Sequence, residues 1–311
     1  MPKHNEVRLK GPVIKVTLED REDGTQEIKV VMGVIRGYRN VGDGREKVKI
    51  DHPIIMSRNK DMIYEMATWS RNDIVEVKGA ITSRTLNKQS ICPFCKQINV
   101  TEGLSVYIEP IFVEKIFKLE NDAASIQYLN TIREVSNEAK VFGNLCRDPK
   151  KVKIKNGPTV TQYPLAVPRK YTIREDPPSV DTDFPWVKVY GQNAIDDRNR
   201  LKINSTVFID GLIQTRSINR KADCQFCSKR YEWKDRALEL IPYETEYISN
   251  YYTEDEAVEN EKKRKEQRLK SLGLDKFMFN PNSMEYDDYD NDDITDADVE
   301  AGIDTMKDVE E

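Results

Sequence analysis

Four cysteines in two Cys-x-x-Cys pairs are the residues of this sequence best suited to chemistry. The pairs are Cys92-Pro-Phe-Cys95 and Cys224-Gln-Phe-Cys227. Such a pair presents two thiolates to a tetrahedral Zn²⁺ ion, and a structural zinc site takes four ligands. Because the chain has only two histidines, His4 and His52, the simplest prediction is one shared site formed by Cys92, Cys95, Cys224 and Cys227.

Three alternatives stay open at the level of sequence. The four ligands are divided between two chains of a dimer, each pair is redox-active, or the pairs hold no metal. A thioredoxin-like pair stands at the start of a helix that follows a strand, and neither pair has that context. A zinc ion here would be structural, because thiolates fill all four positions and leave none for water.

A second group of residues mixes cationic and aromatic side chains. Binding an unpaired strand needs cations for phosphates and flat rings for bases, and stacking contributes about 1–3 kcal/mol per base. Trp186 and Tyr190 have the same parity on one strand, so both face the core or both face outward. Trp69 sits at helical spacing and is predicted to be core. We predict nucleic-acid contacts at Arg36, Tyr38, Arg39, Arg84, Lys88, Phe94, Arg169, Tyr171, Trp186, Tyr190, Arg216, Arg220, Phe226, Tyr231 and Trp233.

The sequence carries no residue set typical of catalysis. It has no phosphate-cradling glycine loop and no Ser/His/Asp arrangement. Its densest run of acids lies near the C-terminus, where solvent prevents the pKa shifts that active sites use. We predict that the protein is not an enzyme.

The elements that position these residues come from a tandem duplication. Residues 79–95 recur at 211–227 with a constant offset of 132. Seven identities fall in register: Gly79/Gly211, Ile81/Ile213, Arg84/Arg216, Asn87/Asn219, Cys92/Cys224, Phe94/Phe226 and Cys95/Cys227. The chain therefore consists of two related units.

Each unit is predicted to contain five strands, with a helix between the third and the fourth. In the first unit the alternation of side chains places strands near residues 7–16, 28–38, 54–56, 74–81 and 105–108. This order is that of the OB-fold, a five-stranded Greek-key barrel that binds oligonucleotides. The predicted fold is mainly β, with two tandem OB-fold barrels, a C-terminal charged helix and a disordered acidic tail.

The second unit resembles bacterial and phage single-stranded DNA-binding proteins. The resemblance rests on Val141 to Pro149, Leu165 to Arg169, Asp183-Phe184, Val189 to Ala194 and Val207 to Arg216. It implies an OB barrel that coats unwound DNA, an acidic tail that recruits partner proteins, and pairing of two chains into a four-barrel homodimer. The cysteine loops and the ending Asp308-Val-Glu-Glu311 depart from the family pattern, which favours a phage origin and puts partners that grip a terminal aromatic residue in question.

The charge distribution agrees with a nucleic-acid-binding protein. From Glu285 onward the chain has about 13 acids and one lysine, which leaves a net charge of about +7 on the rest. Thr253 and Glu256 predict a capping box at the start of a solvated helix that reaches away from the barrels. We predict a first OB-fold over 1–118, a connector over 119–138, a second OB-fold over 139–249, a charged helix over 250–273 and an acidic tail over 274–311.

These features predict a protein that binds single-stranded DNA with little sequence preference during replication, recombination or repair. The absence of a long apolar run or a signal peptide indicates a cytoplasmic protein. The main alternative is an OB-fold adaptor that binds chiefly protein in a replication or transcription complex. A second alternative is a redox enzyme built on the Cys-x-x-Cys pairs. The sequence does not distinguish DNA from RNA as the ligand, because recognition through backbone and stacking does not read the 2′-hydroxyl.

Overall fold

A computed structural model of the 311-residue chain describes residues 3–21, 24–36, 49–152, 158–171 and 181–271. In the first unit the elements are β1 (Asn5–Asp20), β2 (Gln26–Met32), β3 (Val34–Arg36), β4 (Lys49–Asp51), β5 (Ile54–Ser57), α1 (Lys60–Met66), β6 (Asp73–Ile91) and β7 (Ile98–Lys118). The acidic tail predicted over 274–311 lies outside the described residues.

A connector and the second unit follow. The connector contains α2 (Asp122–Ile132) and a 3₁₀ turn (Arg133–Ser136). The elements after it are β8 (Asn137–Leu145), β9 (Lys150–Val152), β10 (Val160–Pro168), β11 (Thr182–Asp183), β12 (Trp186–Tyr190), α3 (Gly191–Arg200), β13 (Thr206–Asp223), β14 (Arg230–Ser249) and α4 (Glu254–Ser271).

Both units are closed five-stranded barrels. In the first, β1 pairs with β2, β2 with β5, β5 with β7, β7 with β6, and β6 returns to β1. In the second, β8, β10, β12, β14 and β13 repeat the circuit. The only parallel pairs in these circuits are β5 with β7 and β12 with β14. This is the strand order of the OB-fold, so the predicted fold class is confirmed.

The barrel interiors are filled by the alternating apolar residues of the strands. Val7, Leu9, Val75 and Val77 are fully buried in the first barrel. Trp69 is also buried, which confirms its prediction as a core residue. Each barrel strand therefore turns one face toward the core and the other face outward.

Glycine allows the fourth strand of each barrel to coil. A Cβ on Gly79 would come within 2.5 Å of the carbonyl oxygen of Glu109, and one on Gly211 within 2.2 Å of that of Ile241. The pairing register shifts at both positions, which marks a β-bulge. A side chain at either glycine would force neighbouring strands apart.

The two barrels join through their first strands. β1 and β8 pair antiparallel, with Val7 opposite Ala139 at the centre. Because residues 7 and 139 are equivalent under the offset of 132, the register is the same seen from either barrel, as in an isologous interface. Asn5 and Asn137 flank the seam, and each exchanges two hydrogen bonds of 2.8–3.0 Å with the backbone of Ile81 and Ile213, respectively.

A second contact between the barrels is made by a reciprocal pair of buried aspartates. The Asp51 carboxylate of the first barrel accepts a 2.8 Å hydrogen bond from the backbone N–H of Thr215 in the second. The equivalent Asp183 of the second barrel accepts a 2.8 Å bond from Ser83 of the first. An aspartate of each barrel thus forms a hydrogen bond with the fourth strand of the other barrel, β13 or β6.

The fourth and fifth strands are much longer than predicted. β6–β7 and β13–β14 are continuous hairpins that extend past the barrels to the two cysteine pairs. Residues such as Thr85, Asn87 and Gln89 are polar and exposed, so their sequence indicates a loop, yet each pairs across the hairpin. The cysteines therefore lie at hairpin tips rather than in long loops.

The charged helix α4 begins as predicted but does not reach away from the barrels. Thr253 and Glu256 form the capping box. The Thr253 N–H donates to Glu256 Oε2 at 2.8 Å, and the Glu256 N–H donates to Thr253 Oγ1 at 3.4 Å. Ala257 is buried, and Arg264 donates a 2.9 Å hydrogen bond to the carbonyl of Arg198 at the end of α3. The prediction of a helix reaching into solvent was therefore wrong, because it overlooked these contacts. None of the helices in the described ranges combines the length and apolar character needed to cross a membrane.

Candidate functional site

The two cysteine pairs adopt the same tight turn. The N–H of Cys92 donates to the carbonyl of Gln97, and the N–H of Lys96 donates back to Cys92. Cys224, Lys229 and Ser228 repeat both bonds at the same distances of 3.0 and 2.9 Å. Lys96 and Ser228 have φ values of 61° and 56°. The two turns therefore share one backbone geometry at equivalent positions of the two hairpins.

The tips meet so that the four sulfur atoms form one cluster within a single chain. Cys92 Sγ lies 3.7 Å from Cys227 Sγ, and Cys95 Sγ lies 3.5 Å from Cys224 Sγ. All four sulfur atoms lie within 4.8 Å of one another. Four thiolates about 2.3 Å from a tetrahedral Zn²⁺ are about 3.8 Å apart. The cluster therefore has the ligand type, number and spacing of a structural zinc site.

The turns prepare one thiol of each pair for ionisation. Burial opposes ionisation of Cys92, but backbone N–H donors at Cys95 and Phe94 outweigh it and lower its pKa to about 6. The equivalent Cys224 has its pKa lowered in the same way, against burial, by the N–H groups of Cys227 and Phe226. The backbone N–H of Gln97 favours ionisation of Cys95, yet burial and the adjacent thiols raise its pKa to about 12.

A small apolar core supports the cluster. Ala222 and Tyr231 are buried beside the cysteines, and Trp233 packs against them while partly exposed. The Tyr231 hydroxyl lies 2.7 Å from the Ser90 hydroxyl of the other hairpin. Tyr231 therefore joins the two hairpins and has no ring face available for a base, contrary to its prediction as a nucleic-acid contact.

The outer face of β12 carries two partly exposed aromatic side chains that sequence analysis predicted to contact nucleic acid. Val187 and Val189 point into the core, so Trp186, Lys188 and Tyr190 lie on the opposite face. Trp186 and Tyr190 are partly exposed. This resolves the parity question, because both aromatic residues face outward.

Cations accompany both rings. The Arg147 guanidinium carbon lies 5.6 Å from the Trp186 ring centroid, and Lys188 Nζ lies 5.8 Å from that of Tyr190. Gln214 donates a 3.3 Å hydrogen bond to the Tyr190 hydroxyl and orients the ring. Arg147 is exposed, whereas Lys188 is buried and forms an ion pair of 3.9 Å with Glu239. Sequence reasoning missed both residues. The shared parity of residues 186, 188 and 190 was a signal for Lys188, and the position of Arg147 just after β8 gave none.

Two arginines predicted to contact nucleic acid form bidentate ion pairs with the reciprocal aspartates. Arg169 is buried and donates through Nε and Nη2 to both oxygens of Asp183 at 2.7 and 2.9 Å. Arg36 forms the equivalent bidentate pair with Asp51 at 2.8 and 2.7 Å and is partly exposed. The burial of Arg169 removes it from any ligand surface. Arg36 is partly exposed, so its nucleic-acid contact stays a prediction.

Three more of the predicted cations form ion pairs at or near the hairpins. Arg216 Nε lies 2.8 Å from Glu239 Oε1. Asp235 accepts from Arg220 at 2.5 Å and also from Lys88 of the other hairpin. Lys88 and Asp235 therefore tie the two hairpins together below the cysteine cluster.

The remaining predicted residues lie at several separate places in the fold. The Arg84 guanidinium carbon lies 5.9 Å from the Tyr107 ring centroid, and Lys170 Nζ lies 5.3 Å from that of Tyr171. Phe94 and Phe226 are 54% and 62% exposed at the hairpin tips. Lys229 Nζ of the second tip lies 4.8 Å from the Phe94 ring. Tyr38 and Arg39 lie outside the described residues.

The barrels differ at the positions where the second presents its rings. Trp186 and Tyr190 correspond under the offset of 132 to Ile54 and Arg58 of the first barrel. Arg58 Nε is 3.0 Å from Glu27 Oε2. The second barrel therefore has two outward-facing aromatic side chains where the first has an aliphatic residue and a paired cation.

Comparison with known proteins supports the family resemblance of the second barrel. The model of the single-strand binding protein family matches residues 136–233. The solved wild-type single-stranded DNA binding protein from Thermus aquaticus has a TM-score of 0.50 and 14% identity, covering 81% of this chain and 97% of that one. A deletion mutant of the same protein gives a TM-score of 0.48 and 15% identity with the same coverage. No curated protein sequence gives a significant match.

The family match runs from the start of the second barrel through the tip of its hairpin and ends at Trp233, before the part of β14 that pairs with β12. The structural match shows the fold over most of the chain. The resemblance to bacterial single-stranded DNA-binding proteins indicated by the sequence is thereby confirmed, in sequence for the second barrel and in fold for the two-barrel chain.

Proposed function

We propose that this protein binds single-stranded DNA with little sequence preference and protects unwound DNA during replication, recombination or repair. The observation that carries the proposal is the outward pair Trp186 and Tyr190 on a closed OB barrel, with the exposed Arg147 beside the Trp186 ring. Ring faces accept any base, and cations attract the phosphates. The protein acts by binding alone, in keeping with a matched family named for binding.

The experiment is a titration of fluorescein-labelled oligothymidine, followed by anisotropy, with wild type and two alanine variants. Trp186→Ala should weaken binding by about 1–3 kcal/mol, because it removes one stacking platform. Ile54→Ala is the matched control, since Ile54 occupies the equivalent position of the first barrel, and it should bind within about twofold of wild type. The logarithm of affinity should fall with the logarithm of salt at about −0.7 per phosphate neutralised.

Two results would contradict this proposal. A wild-type protein that ignores oligothymidine at low salt would favour the adaptor hypothesis, in which the barrels bind protein. Equal loss of affinity in Trp186→Ala and Ile54→Ala would show that DNA does not bind preferentially at the outer face of β12. Parallel titration with oligouridine measures the preference between DNA and RNA.

We further propose that the cysteine cluster holds one structural Zn²⁺ ion per chain. Sulfur separations of 3.5 and 3.7 Å support this proposal. When bound, the ion supplies a cross-link and no reactive position, because Cys92, Cys95, Cys224 and Cys227 occupy all four coordination sites. It would fix the two hairpins as one rigid arm.

The acidic tail is proposed to have two roles. Its net charge of about −12 from Glu285 onward suits it to compete with phosphates for cations and to dock on basic partner proteins. Both roles depend on charge rather than on a folded structure. They predict that the tail weakens DNA binding at low salt and loses this effect as salt screens it.

A further inference from the structure

The outer face of β2 and β5 in the first barrel holds a buried carboxylate among three cations. Glu27 on β2 is only 2% exposed. Its Oε2 lies 2.8 Å from Arg21 Nη1 and 3.0 Å from Arg58 Nε, and its Oε1 lies 3.3 Å from Lys29 Nζ. All three cations are partly exposed. We call these four residues the Glu27 cluster.

Glu27 is an anion in the folded protein at neutral pH. Burial opposes its ionisation, but the hydrogen bond from Arg58 and the charges of Lys29 and Arg21 outweigh burial and lower its pKa. A phosphate that approaches these cations meets a carboxylate that the fold already holds against them. The cluster therefore attracts phosphates less than three cations without Glu27 would.

Strand register identifies the equivalent positions of the second barrel. Ser57 on β5 is equivalent to Val189 on β12 under the offset of 132. Their partners on the neighbouring strands are Ile28 and Thr161, respectively, so β2 and β10 are related by an offset of 133. The second-barrel counterparts of Glu27, Lys29 and Arg58 are accordingly Val160, Gln162 and Tyr190.

The same face of the two barrels therefore differs in chemistry. The second barrel has the Tyr190 ring opposite the apolar Val160, where the first barrel has the ion pair of Arg58 and Glu27. Stacking on a ring contributes about 1–3 kcal/mol per base. The first barrel lacks rings at the positions of both Trp186 and Tyr190, and the cations on this face are paired with carboxylate.

We propose that Glu27 lowers the affinity of the first barrel for a nucleic-acid strand, so that the second barrel binds first. This proposal rests on the proposed binding of single-stranded DNA and adds an order of binding to it. The first barrel then binds effectively once the second holds the strand, because the strand is present at a high local concentration. Glu27 thus sets the difference in affinity between two otherwise related barrels.

The experiment is calorimetric titration of the full chain with oligothymidine of about eight nucleotides, a length that one OB barrel accommodates. It measures how many molecules bind per chain and the affinity of each site. Glu27→Gln removes only the charge. The control Asp20→Asn removes a charge from the same face, where the carboxylate accepts a 2.9 Å hydrogen bond from the Gln26 amide.

A second variant gives the first barrel the residues of the second. The substitutions are Glu27→Val, Lys29→Gln, Ile54→Trp and Arg58→Tyr. This quadruple variant leaves no carboxylate at position 27, and the second barrel shows that these side chains fit the same register. If Glu27→Gln lowers the melting temperature below the working range, the quadruple variant provides the test.

Wild type should bind one oligonucleotide tightly and a second at least about tenfold more weakly. Trp186→Ala should weaken the tight site alone, which assigns that site to the second barrel. Glu27→Gln should tighten the weak site about three- to tenfold at low salt and less at high salt, and Asp20→Asn should change it less than about twofold. The quadruple variant should bring the two sites within about threefold of each other.

Two equal sites in wild type would overturn the proposal. So would a folded Glu27→Gln protein whose weak site is no tighter than that of Asp20→Asn, or a folded quadruple variant whose weak site is unchanged. A wild type that binds no oligonucleotide would instead refute the proposed function, so the two failures are distinguishable.

Discussion

Removal of the Asp183 carboxylate tests whether the reciprocal aspartates hold the barrels together. In Asp183→Ala the guanidinium of Arg169 loses both of its bonds to this carboxylate while its side chain is only 5% exposed. The backbone N–H of Ser83 in the other barrel loses its acceptor. Leaving a buried charge without its partner costs about 3–5 kcal/mol, so the free energy of unfolding should fall by that amount.

The duplication supplies the matched comparison. Asp51→Ala removes the equivalent carboxylate, but its partner Arg36 is 21% exposed and can be hydrated. The expected loss is about 1–3 kcal/mol, the cost of an unsatisfied polar group. The double variant Arg169→Met/Asp183→Leu should recover most of the stability lost in Asp183→Ala, because it leaves no buried charge.

Urea denaturation followed by tryptophan fluorescence measures all four proteins. Trp69 lies in the first barrel, Trp186 in the second and Trp233 in its hairpin, so the fluorescence signal reports on all three parts. Equal losses in Asp183→Ala and Asp51→Ala would refute the argument from burial. A loss below about 1 kcal/mol in Asp183→Ala, or no recovery in the double variant, would show that the pair contributes little to stability.

Three other perturbations test the remaining features. Purified protein should contain one zinc ion per chain by elemental analysis. Cys95→Ser should lose the zinc ion, and the control Cys146→Ser, outside the cluster, should keep it. Zinc retained in Cys95→Ser would contradict the four-cysteine site. Burial raises the pKa of Asp197 to about 6 against the hydrogen bonds that Tyr247 and Tyr163 donate to it. The protonated carboxyl is therefore favoured in the folded state. Its contribution to the free energy of unfolding is complete below the pKa that Asp197 has in the unfolded chain, and this contribution is lost as pH rises through about 6. Wild type should thus gain about 1.4 kcal/mol from this group between about pH 7.5 and about pH 5, and a gain of the same size in Asp197→Asn would exclude Asp197 as its source. Deleting residues 285–311 should tighten oligothymidine binding at low salt and change it little at high salt; unchanged affinity at low salt would leave partner docking as the only role proposed for the tail.

The sequence predicted the architecture because the architecture depends on repeated local patterns. Side-chain alternation located the barrel strands, the offset of 132 identified the second unit, and helical spacing placed Trp69 in the core. The Thr253–Glu256 capping box is likewise a local signal. The length of the strands beyond the barrels was not predictable in the same way. Thr85 and Gln89 are paired through the backbone, and their segment of the sequence shows no alternation of apolar and polar side chains that would indicate a strand.

The candidate site was harder to predict because it depends on partners distant in the chain. From sequence Arg169 was predicted to contact phosphate, but in the structure it is buried and hydrogen-bonded to Asp183. Tyr231 was predicted to stack on a base, but its hydroxyl is hydrogen-bonded to Ser90, 141 residues away in the chain. The cysteine cluster was predictable because its chemistry limits the options. Four thiols and two histidines left few ways to complete a tetrahedral site.

The central register of Val7 opposite Ala139 has a consequence for the polarity of a bound strand. A local twofold axis reverses every direction perpendicular to it, while a nucleic-acid chain runs from 5′ to 3′ and has no such symmetry. A strand that crosses both barrels perpendicular to this axis must fold back to present the same polarity to each of them. Short oligonucleotides would then occupy one barrel, and a second, separate increase in affinity would come only when the strand is long enough to make the turn.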